Sequence, residues 1–141
     1  MRCEQIMKRS VKCLGENDSV HEAAVLMRDE NIGFVPICDA TGRAIGIVTD
    51  RDIVLRIASD KSALEAAVGS VMSKDVVTCA PTDSMAFAES RMREWRKSRI
   101  LVVDQFQKPL GVISLSDLAQ ADRPSRVGRV LRALTAREAR A

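Results

Sequence analysis

This chain of 141 residues carries a tandem duplication, and that feature constrains its fold more than any other. Positions 6–53 align without a gap on positions 71–118, and 10 of the 48 aligned pairs are identical. Chance at this composition would give roughly a third as many identities. The identical pairs are Met7/Met72, Val11/Val76, Asp18/Asp83, Ser19/Ser84, Ala23/Ala88, Met27/Met92, Arg28/Arg93, Asp39/Asp104, Gly46/Gly111 and Asp52/Asp117. A repeat of this size has a thin core, so we expect the two copies to bury each other's sheet faces.

Hydrophobic periodicity predicts a βαββα order of elements in each copy. Apolar residues at helical spacing indicate a helix over Val20–Glu30, and Ser19 with Glu22 forms the capping box that starts it. The predicted strands of the first copy are Val11–Leu14 before this helix, and Phe34–Cys38 and Ala44–Thr49 after it. A final helix begins at Asp50 or Arg51. The second copy repeats this order: strands Val76–Cys79, Ile100–Val103 and Leu110–Ser114, and helices from near Ser84 and from near Leu115 or Ser116.

The predicted fold class is α/β (α+β), with two tandem βαββα repeats packed sheet to sheet in pseudo-twofold symmetry and a basic C-terminal helix. The boundaries that we infer are 1–60 for the first repeat, 61–70 for a linker, 71–122 for the second repeat and 123–141 for the basic tail. Lys61–Val68 is expected to be helical. In the second copy, the buried helix face is expected to include Met85, Ala88, Met92 and Trp95, and Trp95 serves as a core or dimer contact.

Several function classes are disfavoured by the composition. No apolar run reaches the roughly 18 residues of a membrane span, and the N-terminus lacks the apolar region of a secretory signal. The four cysteines form no C-x-x-C pair, and His21 is the single histidine. We therefore expect a cytoplasmic protein without a metal site or catalytic apparatus. The basic run Arg91–Arg99 is interpreted as a solvated face, with a polyphosphate groove as the alternative.

The C-terminal tail is the basic part of the chain. Residues 123–141 hold six arginines against one glutamate, which gives +5, and the other 122 residues carry a net charge of −2. Ser125 is predicted to cap a last helix with one narrow apolar stripe, formed by Val127, Val130, Leu131 and Leu134. Packing on the parent domain or a dimer mate is the first interpretation, and docking on a partner protein is the second. Nucleic-acid and membrane binding are disfavoured because few aromatic side chains are available.

Two sequence stretches in each copy resemble the CBS domain, the regulatory repeat of the cystathionine-β-synthase type. The first copy has Ile32-Gly33-Phe34-Val35-Pro36-Ile37 followed by Gly46-Ile47-Val48-Thr49-Asp50-Arg51-Asp52. The second copy has Arg99-Ile100-Leu101-Val102-Val103-Asp104 followed by Gly111-Val112-Ile113-Ser114-Leu115-Ser116-Asp117. The resemblance spans residues 4–120. It implies a Bateman module, in which two CBS repeats enclose two clefts.

Such modules bind adenosine-containing ligands such as AMP, ADP, ATP, NAD or S-adenosylmethionine, dimerise, and signal to a partner protein without catalysis. The resemblance therefore implies a homodimer with a regulatory nucleotide and an unidentified partner protein, and no required cofactor. We expect no nucleic-acid or membrane partner.

The chemistry of the residues matches this implied role. An ionised Asp accepts hydrogen bonds from the two ribose hydroxyls, which suits Asp52 and Asp117. Thr49 and Ser114 stand where a strand becomes a helix, a place that favours a phosphate oxygen. Arg51 adds charge, whereas its counterpart Ser116 does not. The expected walls are Val35, Pro36 and Ile37 with Lys12, Cys13 and Leu14 in the first copy, and Ile100, Leu101 and Val102 with Val77, Thr78 and Cys79 in the second.

The same residues admit a purely structural interpretation. Thr49-x-x-Asp52 and Ser114-x-x-Asp117 have the form of a helix capping box, and capping alone would keep both through duplication. The second copy has Leu101 where the family commonly has proline, and only Arg99 on the neighbouring strand can supply charge. The first copy is therefore predicted to hold the better site. The alternative function is a ligand-independent CBS scaffold whose basic tail mediates dimerisation or docking.

Overall fold

The computed structural model describes residues 1–121 and 124–136, and it contains six helices and six strands within these ranges. The first part of the chain forms α1 (Cys3–Ile6), β1 (Leu14–Gly15), α2 (Val20–Glu30), β2 (Phe34–Cys38), β3 (Ala44–Thr49) and α3 (Asp50–Ser59). Two short 3-10 segments follow, Lys61–Glu65 and Val68–Ser70. The second part forms β4 (Thr78–Cys79), α4 (Met85–Trp95), β5 (Arg99–Val103), β6 (Pro109–Ser114), α5 (Leu115–Ala121) and α6 (Pro124–Thr135). The predicted α/β class with two repeats is thereby confirmed.

The chain divides into two compact units whose bounds differ from those of the repeats. The first-copy unit consists of Val11–Val76, and the second-copy unit combines Met1–Ser10 with the described part of 77–141. The N-terminal ten residues thus pack on the second copy. The predicted sequence domains and their sheet-to-sheet packing stay predictions.

Each unit contains one three-stranded sheet with the same topology. In the first-copy unit β1 is parallel to β2 and β3 is antiparallel to it, and in the second-copy unit β4, β5 and β6 repeat this arrangement. The register places Thr49 opposite Phe34 and Ser114 opposite Arg99. Both sheets therefore bring the end of their last strand to the start of their central strand.

The helices after the first strand of each sheet begin and end with local signals. Ser19 and Glu22 form the predicted capping box of α2, with the Ser19 Oγ accepting from the Glu22 amide at 3.0 Å. In α4, Ser84 accepts from the Phe87 amide at 3.1 Å, but a phenylalanine cannot complete the box. Both helices end in a left-handed residue, Asn31 and Arg96, each with a φ of 53°.

The segment that leads into each copy pairs with the sheet of the other copy. Lys8 and Val112 exchange backbone hydrogen bonds of 2.9 and 3.0 Å, and Ser73 and Ile47 do the same at 2.8 and 2.9 Å. Gly111 permits this approach because a Cβ there would lie 2.6 Å from the Met7 sulfur. Gly46 and Met72 repeat that contact in the first-copy unit.

Helix α6 completes the core of the second-copy unit. It packs against α4 and α5, and Val130 is 1% exposed within the apolar cluster. Val127 and Leu134 pack on the same cluster, as the apolar stripe predicts. Arg123, Arg137 and Arg140 lie outside the described residues. Within the described ranges, no helix has the length and apolar character needed to cross a bilayer.

Several local predictions are wrong. Trp95 is 45% exposed at the end of α4, where the core no longer covers it, so it is not a core residue and a dimer contact stays a prediction. Helix α6 begins at Pro124, so Ser125 lies inside its first turn and is not the cap. Leu131 is 49% exposed and lies outside the stripe. The linker segment forms two 3-10 turns instead of one helix, and β1 and β4 are shorter than predicted.

Candidate functional site

The first candidate site lies where β3 becomes α3. The Asp52 Oδ2 accepts a hydrogen bond from the Thr49 amide at 2.9 Å, and the Thr49 Oγ1 accepts from the Asp52 amide at 3.2 Å. This reciprocal capping box satisfies two backbone donors and fixes the carboxylate at the helix start. Among the residues that the structure describes, the second carboxylate oxygen, Oδ1, has no hydrogen-bond partner. The cap thus orients Asp52 and leaves one acceptor open.

The second candidate site repeats this cap at the junction of β6 and α5. The Asp117 Oδ2 accepts from the Ser114 amide at 2.8 Å and from the Ser114 hydroxyl at 2.9 Å. The other oxygen, Oδ1, lies 3.7 Å from the Nζ of Lys8, which belongs to the N-terminal segment. Asp117 is 15% exposed and Lys8 is 75% exposed, so water screens this ion pair.

Lys8 is the residue that sequence reasoning missed. It approaches Asp117 because the leading segment crosses to the other copy and pairs with Val112. The aligned position in the first-copy unit is Ser73, a residue without charge. The alignment at an offset of 65 residues shows that Lys8 corresponds to Ser73. It does not show that the N-terminal segment pairs with the sheet of the second copy, and without that pairing Lys8 cannot be placed beside Asp117.

The predicted wall of the first-copy site consists of adjacent strand segments. Val35, Pro36 and Ile37 are buried in β2, and Leu14 pairs with Ile37 in the parallel register. Cys13 immediately precedes that pair. Desolvation raises the pKa of its thiol to about 12, and the nearby Cys38 thiol adds to the shift. The Cys13 thiol is therefore neutral at neutral pH; the residue is exposed, and its place in the wall stays a prediction.

The predicted wall of the second-copy site also consists of adjacent strand segments. Ile100, Leu101 and Val102 are fully buried in β5, and the Leu101 amide donates to the Val77 carbonyl at 3.0 Å. Thr78 pairs with Leu101 and Cys79 with Val102. The predicted wall residues are thus neighbours within the unit.

The remaining predicted site residues lie at the edges of these two groups. Lys12, Arg51, Arg99 and Ser116 are all exposed. The antiparallel register brings Arg99 directly opposite Ser114, so charge is available to the second-copy site from the neighbouring strand. Arg51 occupies the second position of α3, one residue before the capping aspartate. Cationic side chains are therefore present beside both caps, on different elements.

Comparison with known proteins identifies the family. The CBS domain family profile matches residues 3–59 and 68–123, which together cover most of the chain. This chain belongs to the CBS domain family. Its relatives include the CBS domain-containing protein YhcV of Bacillus subtilis (strain 168), 34% identical over 113 residues, which are 80% of this chain and 79% of that protein. This chain spans about a quarter of the length of several longer relatives.

Solved structures share the CBS pair fold. A CBS domain protein of Thermoplasma acidophilum, TA0289, superposes with a TM-score of 0.82 at 22% identity, over 94% of this chain and 75% of that one. The CBS domain pair of protein MJ0100, in complex with 5′-methylthioadenosine and S-adenosyl-L-methionine, superposes with a TM-score of 0.77 at 23% identity, over 85% of this chain and 94% of that one. The resemblance to a CBS pair drawn from the sequence is confirmed.

Proposed function

We propose that this chain is a non-catalytic regulatory module that binds an adenosine-containing ligand at its strand-to-helix caps. The observation that carries the proposal is the orientation of Asp52, whose Oδ2 belongs to the cap while its Oδ1 has no partner among the described residues. A ribose hydroxyl is the kind of donor that such a fixed carboxylate oxygen accepts. The adenosine-type ligands in the MJ0100 complex support the same ligand class.

The two caps are expected to bind with different affinity. The outer oxygen of Asp117 faces Lys8 at 3.7 Å, and a ribose hydroxyl would have to share it with that ammonium group. Asp52 has no such neighbour at the aligned Ser73, and Arg51 stands beside it in the first turn of α3. We therefore assign the tighter site to the first-copy unit.

The regulatory part of the proposal includes a homodimer, an unidentified partner protein and a cytoplasmic location. A ligand changes the output of such a module only if it binds two conformational states with different affinity. The site must therefore sit beside elements that can shift. The caps suit this requirement, because each joins a sheet to a helix whose start depends on the capping carboxylate.

The test is a thermal-shift panel with AMP, ADP, ATP, NAD, S-adenosylmethionine and 2′-deoxy-AMP. A ligand at 100 times its Kd stabilises the folded state by about 2.7 kcal/mol, which is a shift of several degrees at this size. We expect the 2′-deoxy analogue to bind more weakly than AMP. Asp52→Asn keeps an acceptor for the cap and removes the charge, and it should weaken binding about tenfold. Asp50→Asn, at the exposed neighbouring position, is the matched control.

The scaffold function is the second candidate, and the outer face of α6 favours it. Arg129, Leu131 and Arg132 are exposed there although the opposite side of the helix is buried. A flat ligand panel at millimolar concentration would support this function. Arg129→Glu with Arg132→Glu should then abolish partner binding without unfolding the protein. Deletion of the tail is unsuitable, because Val130 belongs to the core.

A further inference from the structure

A cleft of about 640 Å³ opens on the second-copy unit, at the end of β5 that lies away from the Ser114–Asp117 cap. The loop between β4 and α4, the first turns of α4 and the β5–β6 turn form its walls. Ser114 pairs with Arg99 at the start of β5, whereas the cleft includes Val103 at its end. Four strand steps separate these two points by about 13 Å. The cleft therefore extends away from the cap, although Thr78 and Cys79 belong both to its lining and to the expected wall of the second-copy nucleotide site.

Two exposed phenylalanines line this cleft. Phe87 is 46% exposed on α4, and Phe106 is 64% exposed in the β5–β6 turn. The whole chain has three Phe, one Trp and no Tyr, so half of its aromatic side chains line one open cleft. Burying aromatic surface of this size is a large source of binding free energy. A flat ring is the natural occupant of such walls.

The charged groups of the cleft carry both signs. Arg91 belongs to the lining; its Nη1 lies 4.0 Å from the exposed Glu94 carboxylate, and its Nε is buried without a hydrogen-bond partner among the described residues. Asp83 and Asp104 also line the cleft. One oxygen of each is held by turn amides: the Ala80 amide donates to Asp83 at 2.7 Å, and the Phe106 and Lys108 amides donate to Asp104 at 2.8 and 3.0 Å. A buried guanidinium N–H and two fixed carboxylates suit a ligand that has an anionic and a cationic group.

The two aspartates recur in the first-copy unit as the turn residues Asp18 and Asp39, but the aromatic and cationic residues of the cleft do not. The aligned positions of Phe87, Arg91 and Phe106 hold Glu22, Leu26 and Thr41. Glu22 completes the α2 capping box with a 3.2 Å bond to the Ser19 amide, and Phe87 gives up that bond in α4. Phe87 therefore loses a capping bond and exposes apolar surface. A residue with both of these costs indicates a role other than folding.

We propose that this cleft binds a small aromatic zwitterion of the free aromatic amino acid type. The ring lies against Phe87 and Phe106, the carboxylate binds the Arg91 guanidinium, and the ammonium group binds the carboxylates of Asp83 and Asp104. The cleft volume falls within the 300–1,000 Å³ range of small-molecule sites. The site lies apart from the capping Asp117, shares Thr78 and Cys79 with the expected nucleotide wall, and would give the module a second input.

The probes are L-phenylalanine and three fragments, measured by saturation-transfer NMR and by titration on the full chain. L-Alanine lacks the ring, 3-phenylpropionate lacks the ammonium group, and phenethylamine lacks the carboxylate. L-Phenylalanine should bind tightest, and each fragment should bind at least about tenfold more weakly, because each loses a charge-assisted hydrogen bond or the ring contacts. Equal binding of 3-phenylpropionate would overturn the zwitterion assignment, and no binding of any probe at millimolar concentration would overturn the site.

The variants install the residue of the other copy. Phe87→Glu, Arg91→Leu and Phe106→Thr should each weaken L-phenylalanine binding about tenfold or more, and Phe87→Glu should also supply the missing capping residue. Phe106→Thr lies in an exposed turn, so it keeps the test valid if a helix variant fails to fold. Asp52→Asn and Asp117→Asn should leave L-phenylalanine binding unchanged. Unchanged affinity in all three cleft variants would contradict the proposal, whatever the nucleotide panel shows.

Discussion

The two units of this molecule share one backbone plan and differ in what they add to it. Each has a parallel–antiparallel sheet, a capping Asp at the last strand, and a Met–Gly contact with the crossing segment. Within the residues that the structure describes, α6, the Lys8–Asp117 ion pair and the aromatic cleft belong to the second-copy unit. The shared residues are those that backbone geometry demands. The features found in the second-copy unit change the charge and shape of its surface at positions that the shared backbone leaves free to vary.

The largest expected effect tests whether α6 is a structural part of its unit. Val130→Asp places a charge in the apolar cluster of the second-copy unit and should lower the free energy of unfolding by more than about 3 kcal/mol. Leu131→Asp, one residue further along and 49% exposed, should change it by less than about 0.5 kcal/mol. Urea denaturation gives both values. Similar effects of the two variants would mean that α6 is not docked.

The next effect tests the segments around Lys8 and Ser73, each of which leads into one copy and pairs with the sheet of the other. Gly111→Ala would put a Cβ 2.6 Å from the Met7 sulfur and 2.9 Å from the Lys8 carbonyl oxygen. The segment must shift, so we expect a loss of about 1–3 kcal/mol in urea denaturation, and Gly46→Ala should behave alike. Gly128→Ala is the control, because nothing lies within 4 Å of its Cβ and alanine favours the helix. A neutral Gly111→Ala would show that the crossing is not tightly packed.

A smaller effect separates the two caps. Asp52→Ala and Asp117→Ala should each lower the free energy of unfolding by about 1 kcal/mol, because each leaves helix-start donors unpaired. Asp117→Ala should cost slightly more at low salt, since it also removes the pair with Lys8. That excess should shrink in about 1 M NaCl, where the exposed pair is screened, and only the part due to the Ser114 hydroxyl bond should remain. An excess that is the same at low and high salt would show that Lys8 does not interact with Asp117 through charge.

Local sequence signals predicted the parts of this fold that local physics controls. The bounds of α2, β2 and β3 match the prediction, because period, length and capping residues agree there. The site caps were predictable for the same reason, since Thr49-x-x-Asp52 and Ser114-x-x-Asp117 carry their own geometry.

The features that sequence reasoning missed depend on long-range placement. Lys8 reaches Asp117 only because the N-terminal segment crosses to the second copy, 109 positions along the chain. Trp95 follows the helical spacing of its neighbours but falls at the helix end, where the core no longer covers it. The sequence did not predict the cleft, because Phe87, Arg91 and Phe106 come from two elements and the Arg91–Arg99 run was interpreted as a solvated face or a polyphosphate groove.

The smallest predicted effect concerns the left-handed residues that end α2 and α4. Asn31 and Arg96 occupy aligned positions with the same φ of 53°, but asparagine tolerates this conformation and arginine does so less well. Arg96→Asn should therefore raise the free energy of unfolding by about 0.5 kcal/mol, and Asn31→Arg should lower it by a similar amount. Thermal and urea unfolding of both variants measure the pair.

Opposite signs in this reciprocal exchange would show that backbone conformation sets the preference at both helix ends. Equal signs would mean that the Arg96 side chain has a favourable role that asparagine cannot fill. In that case the second-copy unit would differ from the first at one more functional position, on the exposed end of the helix that also carries Phe87 and Arg91.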